Sequence, residues 1–167
     1  MSKEYSSPEK YANEITFNLT NFSIKKFQLI EPDPKIIENF NPENLNISLN
    51  LDYDFDKNSK SFKMNLAITY KFNTVEFTEK LIDFELISVF DFKDIDIFRN
   101  DNDNIEIPNH ILIQLFSVTY SGARGILFSK TQGSFLNKFL LPLVDPNETL
   151  KKLLQNKEND LKKDAEN

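Results

Sequence analysis

LNISLNLDYDFDKNSKSFKMNLAITYKF, residues 45–72, carries the clearest periodic signal in this chain. Every odd position from Leu45 to Phe55 is apolar, and so is every even position from Phe62 to Phe72. An apolar side chain at every second residue sets one side of an extended chain against a core and leaves the other in water. The six residues between the two runs, DKNSKS, are polar. The stretch predicts an antiparallel hairpin with one buried and one wet face.

Upstream, ITFNLTNFSIKKFQLIEP (15–32) is also strand-like, but its phase is split. Ile15, Phe17, Leu19, Phe27 and Leu29 share one parity, while Phe22 and Ile24 take the other. Either a bulge shifts the phase, or a second face meets another chain. EPDPKIIENFNPEN (31–44) follows, and its prolines Pro32, Pro34 and Pro42 exclude a central strand. It predicts a loop or short helical turn anchored by Ile36, Ile37 and Phe40. Downstream, a further strand is expected from about Val75 to Phe92. Its apolar phase moves from odd (Val75, Phe77) to even (Phe84, Leu86, Phe90, Phe92), which places a bulge near Glu79–Leu81.

Residues 93–107 form a polar loop with a few apolar anchors, and after Pro108 the period becomes helical. Ile111, Leu112, Leu115, Phe116, Thr119, Ala123, Ile126 and Leu127 recur at helical spacing, with Ile113, Val118 and Tyr120 on other faces. A helix apolar on nearly every side is buried on more than one, which in so small a domain points to a subunit interface. Gly122 and Gly125 each lower helix propensity by about 1 kcal/mol relative to alanine and, with Ala123, permit close backbone approach. Past the apolar run LLPLVD, Asp145 reads as an N-cap, with Pro146 at the first helical position and Glu148 three residues on. Leu150, Leu153, Leu154 and Leu161 mark a final amphipathic helix. The domain is expected over residues 14–156, between a disordered lead-in at 1–13 and a charged, fraying tail at 157–167.

Composition narrows the function. The 167 residues suit one domain with a real core. No cysteine is present, so there is no disulfide framework, thiolate metal site or cysteine nucleophile. The polar start MSKEYSSPEKYANE has no apolar signal region, and no run reaches the roughly 18 apolar residues of a membrane span; the expected location is the cytoplasm. A net charge of −6 argues against nucleic acid as the main partner. Sixteen Phe and five Tyr without any Trp fit either a Phe-rich core or a protein with apolar surface to spare.

Motifs for catalysis are weak. Gly122, Gly125 and Gly133 flank Lys130-Thr131, but a phosphate loop places its glycines before Gly-Lys-Ser/Thr and after a strand. His110 has no cysteine or second histidine to join in a metal site. DYDFDKN lacks the glycine and the closing glutamate of a calcium loop, since Lys57 and Lys63 stand there. NDNDN (100–104) reads as a loop. No catalytic residue, metal or cofactor is expected.

Taken together, the pieces resemble the SecB-type protein-export chaperones. Phe17, Leu19, Phe22, Lys25, Phe27, Leu29 and Pro32 fall at that family's first-strand spacing, and Phe40-Asn41-Pro42 sits where it carries an aromatic-x-Pro in a crossover loop. PNHILIQLFSVTYSGARG resembles its long helix, with the Ala123-Arg124 pair, and Gly133-Ser134-Phe135 with LLPLVDP the approach to its second helix. The resemblance covers roughly residues 15–155. It implies an α+β fold, a four-stranded antiparallel sheet with a long helix and a C-terminal helix packed on one side. It also implies a dimer of dimers meeting through Phe22, Ile24, Gly122, Ala123 and Gly125. The implied activity is an ATP-independent holdase that binds non-native polypeptides, with a groove between crossover loop and second helix formed by Ile36, Ile37, Phe40, Phe84, Phe90, Leu150, Leu153 and Leu154. Asp52 and Asp83 match acids that the family presents to the SecA motor. The alternatives are a chaperone for one client, such as an antitoxin, and a structural subunit that uses its apolar surface only to oligomerise.

Overall fold

The computed structural model describes residues 17–56, 60–100, 102 and 104–165, and the side chains as far as Lys157. The lead-in expected over 1–13 and the side chains of the expected tail beyond Lys157 lie outside these. Four strands, β1 (Phe17–Leu29), β2 (Leu45–Asp56), β3 (Ser61–Asn73) and β4 (Thr78–Phe92), form one antiparallel sheet in the order β1-β4-β3-β2. Between β1 and β2 lies the short helix α1 (Pro34–Glu38), and β4 leads to the long helix α2 (Asn109–Lys130) and the last helix α3 (Pro146–Ala165). The fold is α+β, with the helices over one face of the sheet.

The hairpin pairs in an unbroken register, Leu45 opposite Phe72 and Asp56 opposite Ser61. Its even residues on β3, from Phe62 to Phe72, are all buried, as are Phe84, Leu86 and Phe90 of β4. The expected bulge in β4 is present at Leu81: Tyr70 pairs with Ile82 and Lys71 with Lys80. The strand begins at Thr78, three residues later than expected from Val75, because Thr74 closes a turn. Its Oγ1 accepts from the amides of Glu76 (3.3 Å) and Phe77 (3.1 Å).

In β1 the split phase resolves through bulges. The register against β4 slips once between Leu19 and Asn21 and again between Ile24 and Lys26. Each slip moves one residue out of the alternation, so Leu19, Phe22, Ile24 and Phe27 all lie opposite helix-side residues of β4: Phe90, Ser88, Leu86 and Phe84. Thr20, the first bulged residue, donates its hydroxyl to the Val89 carbonyl at 3.2 Å. The second apolar face expected at Phe22 and Ile24 is therefore absent; both side chains join the helix side.

α2 starts after Pro108 and lays Ile111, Leu115, Phe116, Thr119, Ala123 and Leu127 against the sheet. It is long and apolar enough to meet the length of a membrane span, yet its apolar stripe is the core of this sheet-and-helix packing. α3 is capped as expected: Asp145 Oδ1 accepts from the amides of Asn147 (2.9 Å) and Glu148 (3.0 Å). The loop expected at 93–107 contributes more than expected to the core, since a 3-10 turn at Ile95–Phe98 buries Ile95 and Phe98. Gly133 closes the turn after α2 with a φ of +83°, a conformation that only glycine adopts freely.

Candidate peptide-binding surface

One apolar opening lies beside α2. Phe116, Tyr120, Gly125 and Phe128 form one wall and Leu140, Leu143 and Pro146 the other, around a groove of about 430 Å³. Two hydrogen bonds hold the walls in place: Tyr120 Oη donates to the Pro142 carbonyl and Arg124 Nε to the Leu141 carbonyl, each at 2.8 Å. Burial pushes the Tyr120 phenol above its ordinary range, against the opposing pull of Arg124, so it stays a donor. Phe128 is 47% exposed, Leu140 43% and Leu143 83%. Their exposure beside one groove makes it a candidate binding surface.

A second opening lies where α3 crosses the end of β2. Tyr53, Phe55, Phe62, Ile105, Ile107 and Leu154 line a groove of about 410 Å³. At its rim Lys157 of α3 bonds Asp52, and its ammonium stands 5.6 Å above the Tyr53 ring. The Asp52 carboxylate also accepts from the Tyr53 amide at 3.0 Å. The Lys157 bond holds the Asp52 carboxyl below its usual range, outweighing partial burial.

The eight residues expected to form one groove separate into three groups. Phe40 stacks on Phe72 (centroids 4.7 Å apart) and meets Phe135 (5.0 Å) and Phe139 (4.8 Å). It carries α1, with the half-buried Ile36 and Ile37, onto the turn that follows α2. Leu154 lies at the opposite end of β2; from Leu45, the partner of Phe72, to Tyr53 is about 26 Å of extended strand. Phe84, Phe90 and Leu150 are enclosed, at 0%, 0% and 3% exposure, and present no surface to a peptide. The alternation of Phe84 and Phe90 signals the helix side, and the helix side of a central strand is covered. Leu153 and Leu154 remain half-buried.

The expected interface residues also divide. Phe22 lies on Gly122 of its own chain: a Cβ on that glycine would come 2.5 Å from the Phe22 ring carbon Cζ. Ala123 is fully buried in its own core and cannot reach a partner. Gly125 faces open space, while Leu19, Phe22 and Ile24 stay between 37% and 41% exposed along the rim. Of the expected acids, Asp83 is held by Lys26 (2.6 Å) and Lys80 (2.9 Å), whose hydrogen bonds lower its pKa. The neighbouring Glu85 is lowered in the same way by Lys25 (2.8 Å) and Asn65 (2.7 Å). Sequence reasoning missed Phe128, Leu140 and Leu143; the apolar run LLPLVD, with no periodicity to bury it, was the available sign. Among the described residues no three His, Cys, Asp or Glu side chains gather to hold a metal.

Among solved structures, the chain is similar to the SecB-like chaperone Rv1957 of Mycobacterium tuberculosis, determined with a ChAD peptide from the Rv1956 HigA1 antitoxin. The two are 13% identical over 81% of this chain and 95% of that one, with a TM-score of 0.47. It is also similar to a protein of unknown function from Streptococcus agalactiae, 11% identical over 79% of this chain and 98% of that one, with a TM-score of 0.34. No family model and no curated protein sequence matches.

Proposed function

We propose that this protein is an ATP-independent holdase that binds non-native polypeptide on exposed apolar surface, in the cytoplasm and as a homo-oligomer. The observation that carries the reading is the groove between α2 and residues 140–146. Exposed Phe128, Leu140 and Leu143 offer apolar area whose burial by a client contributes about 25 cal/mol per Å². Taking up an unfolded segment this way needs no bond-making and no nucleotide.

One observation favours a restricted client over export through a motor. Asp52 and Asp83, the acids that the resemblance assigns to motor contact, are already engaged by Lys157, Lys26 and Lys80. A chaperone for one partner, such as an antitoxin segment, needs no such acids. The test is light scattering from a chemically denatured model protein diluted into nucleotide-free buffer. Suppression near one assembly per client supports the general holdase. Unchanged aggregation removes that reading and leaves the single-client chaperone or a purely structural oligomer.

A further inference from the structure

We propose that the groove between α2 and residues 140–146 binds a small amphipathic acid of the fatty-acid class, with its carboxylate on Arg124 and its alkyl chain along the helix toward Phe116. This site goes beyond the chaperone reading, which uses the exposed rim of the same groove, and does not rest on it. Among the described residues, Arg124 is the one charged side chain that lines the groove. Its Nε donates to the Leu141 carbonyl at 2.8 Å, which fixes the guanidinium against the wall. Among the described residues no group bonds its two terminal amino groups, and no carboxylate pairs with them. A guanidinium held at one nitrogen and open at the other two is the fork that a carboxylate meets with two parallel bonds. Asp145, beside the lining Pro146, is already engaged: its Oδ1 accepts from the amides of Asn147 and Glu148.

The wall runs antiparallel to the helix, with Leu141 opposite Arg124 and Pro142 opposite Tyr120. Leu140 and Phe128 therefore lie at one end, and Val144 and Pro146 at the other with Phe116 and Ser117. From Arg124 back to Phe116 the helix runs about 12 Å. Along that run the small side chains of Ser117 and Ser121 let a chain lie close to the helix. The polar groups beside it are used within the protein: Ser117 Oγ donates to the Ile113 carbonyl at 2.6 Å and Tyr120 Oη to the Pro142 carbonyl at 2.8 Å. A polypeptide laid on the rim keeps its amides in water, but one laid on this floor would need a partner for the amide and carbonyl of every residue. A single anionic head on an apolar tail needs polar partners at one point only. Arg124 supplies them there, with the Ser121 hydroxyl one turn earlier on the same face. A volume of about 430 Å³ is within the range of small-molecule sites.

The probe is dodecanoate, isotopically labelled at its carboxyl carbon and titrated into the full chain below its micelle concentration. Calorimetry reads affinity, and the carboxyl resonance reads the head. Dodecanol and dodecylamine carry the same chain on a neutral and a cationic head. The expected result is saturable binding of one acid per chain, tighter than dodecanol by about tenfold or more, with dodecylamine weaker still. The bound carboxyl should titrate below the free acid, because the guanidinium favours its charged form. Arg124→Gln should reduce the acid to the affinity of the alcohol. Since Arg124 also holds the wall through Leu141, a second variant is Gly125→Leu. Nothing lies within 4 Å of a Cβ there, so the new side chain enters the groove. It should abolish acid binding while the melting temperature is kept or raised. Equal binding of acid and alcohol, uptake that does not saturate, a carboxyl that titrates as the free acid does, or full binding in Gly125→Leu overturns the proposal. So does an apolar peptide with a free C-terminal carboxylate that is excluded by Gly125→Leu where dodecanoate does not bind at all. If dodecanoate fails to bind while aggregation is still suppressed, the acid site falls and the holdase stands. If it binds while aggregation proceeds, the acid site stands and the general holdase falls. A groove closed by a second copy takes up no acid and loses that copy in Gly125→Leu, which also overturns it.

Discussion

Gly122 and Gly125 occupy one helix and answer to different neighbours. At Gly122 a methyl group would meet the far end of the Phe22 ring, so Gly122→Ala gains helix propensity and loses the seat of that ring. In a Phe22→Ala background the same substitution should stabilise by about 0.5–1 kcal/mol, and in the wild type that gain should vanish or reverse. A double-mutant cycle on chemical unfolding reads the coupling directly; additive values would mean the ring does not rest there. At Gly125 nothing lies within 4 Å of a would-be Cβ. Gly125→Ala should stabilise the isolated chain by about 0.5–1 kcal/mol and, if subunits meet at this glycine, weaken self-association in sedimentation velocity. Stabilisation with unchanged association would remove Gly125 from the interface. These roles were only half legible in the sequence. Close approach could be read from the glycines, but whether a ring of the same chain or another subunit makes it depends on the phase of β1. Neither bulged residue, Thr20 or Lys25, is a glycine that would have marked a bulge.

At the scale of elements, α3 is held at its start by Asp145 and further along by Lys157. Asp145→Ala should cost about 1 kcal/mol, seen as a lower melting temperature and faster amide exchange in the first turn of α3. β1 is tied to β4 by Lys25–Glu85 and Lys26–Asp83 across the wet face. Both carboxyls are lowered by these lysines, so their contribution is complete above the ordinary carboxylate range and is lost as pH falls through the depressed folded values. Asp83→Asn should therefore reduce stability at neutral pH, with a difference from wild type that shrinks on acidification. A difference independent of pH would show that charge is not the source. The hairpin was legible because each of its strands keeps one phase throughout. Phe84 and Phe90 carry the same kind of signal, yet they are sealed and line no surface. Alternation reports which side a residue faces, whereas burial depends on the strand being central, and that follows from the order β1-β4-β3-β2.

For the whole molecule, the helix side of the sheet is divided into a sealed centre and two open flanks. The centre is Phe-rich and closed by α2; one flank is the groove against residues 140–146, the other the end of β2 under α3. Phe128→Ser with Leu143→Ser should lower the capacity to suppress aggregation several-fold while leaving the melting temperature within about a degree or two, because both side chains are already exposed. A fall in melting temperature that accounts for the lost capacity would reassign both residues to folding. The two slips in β1 have a consequence of another kind. A sheet that can be extended at both ends is a seed: each strand it gains presents a fresh template to the next. This sheet is continuous at one margin and broken at the other, so its two edges are unequal templates for a further strand.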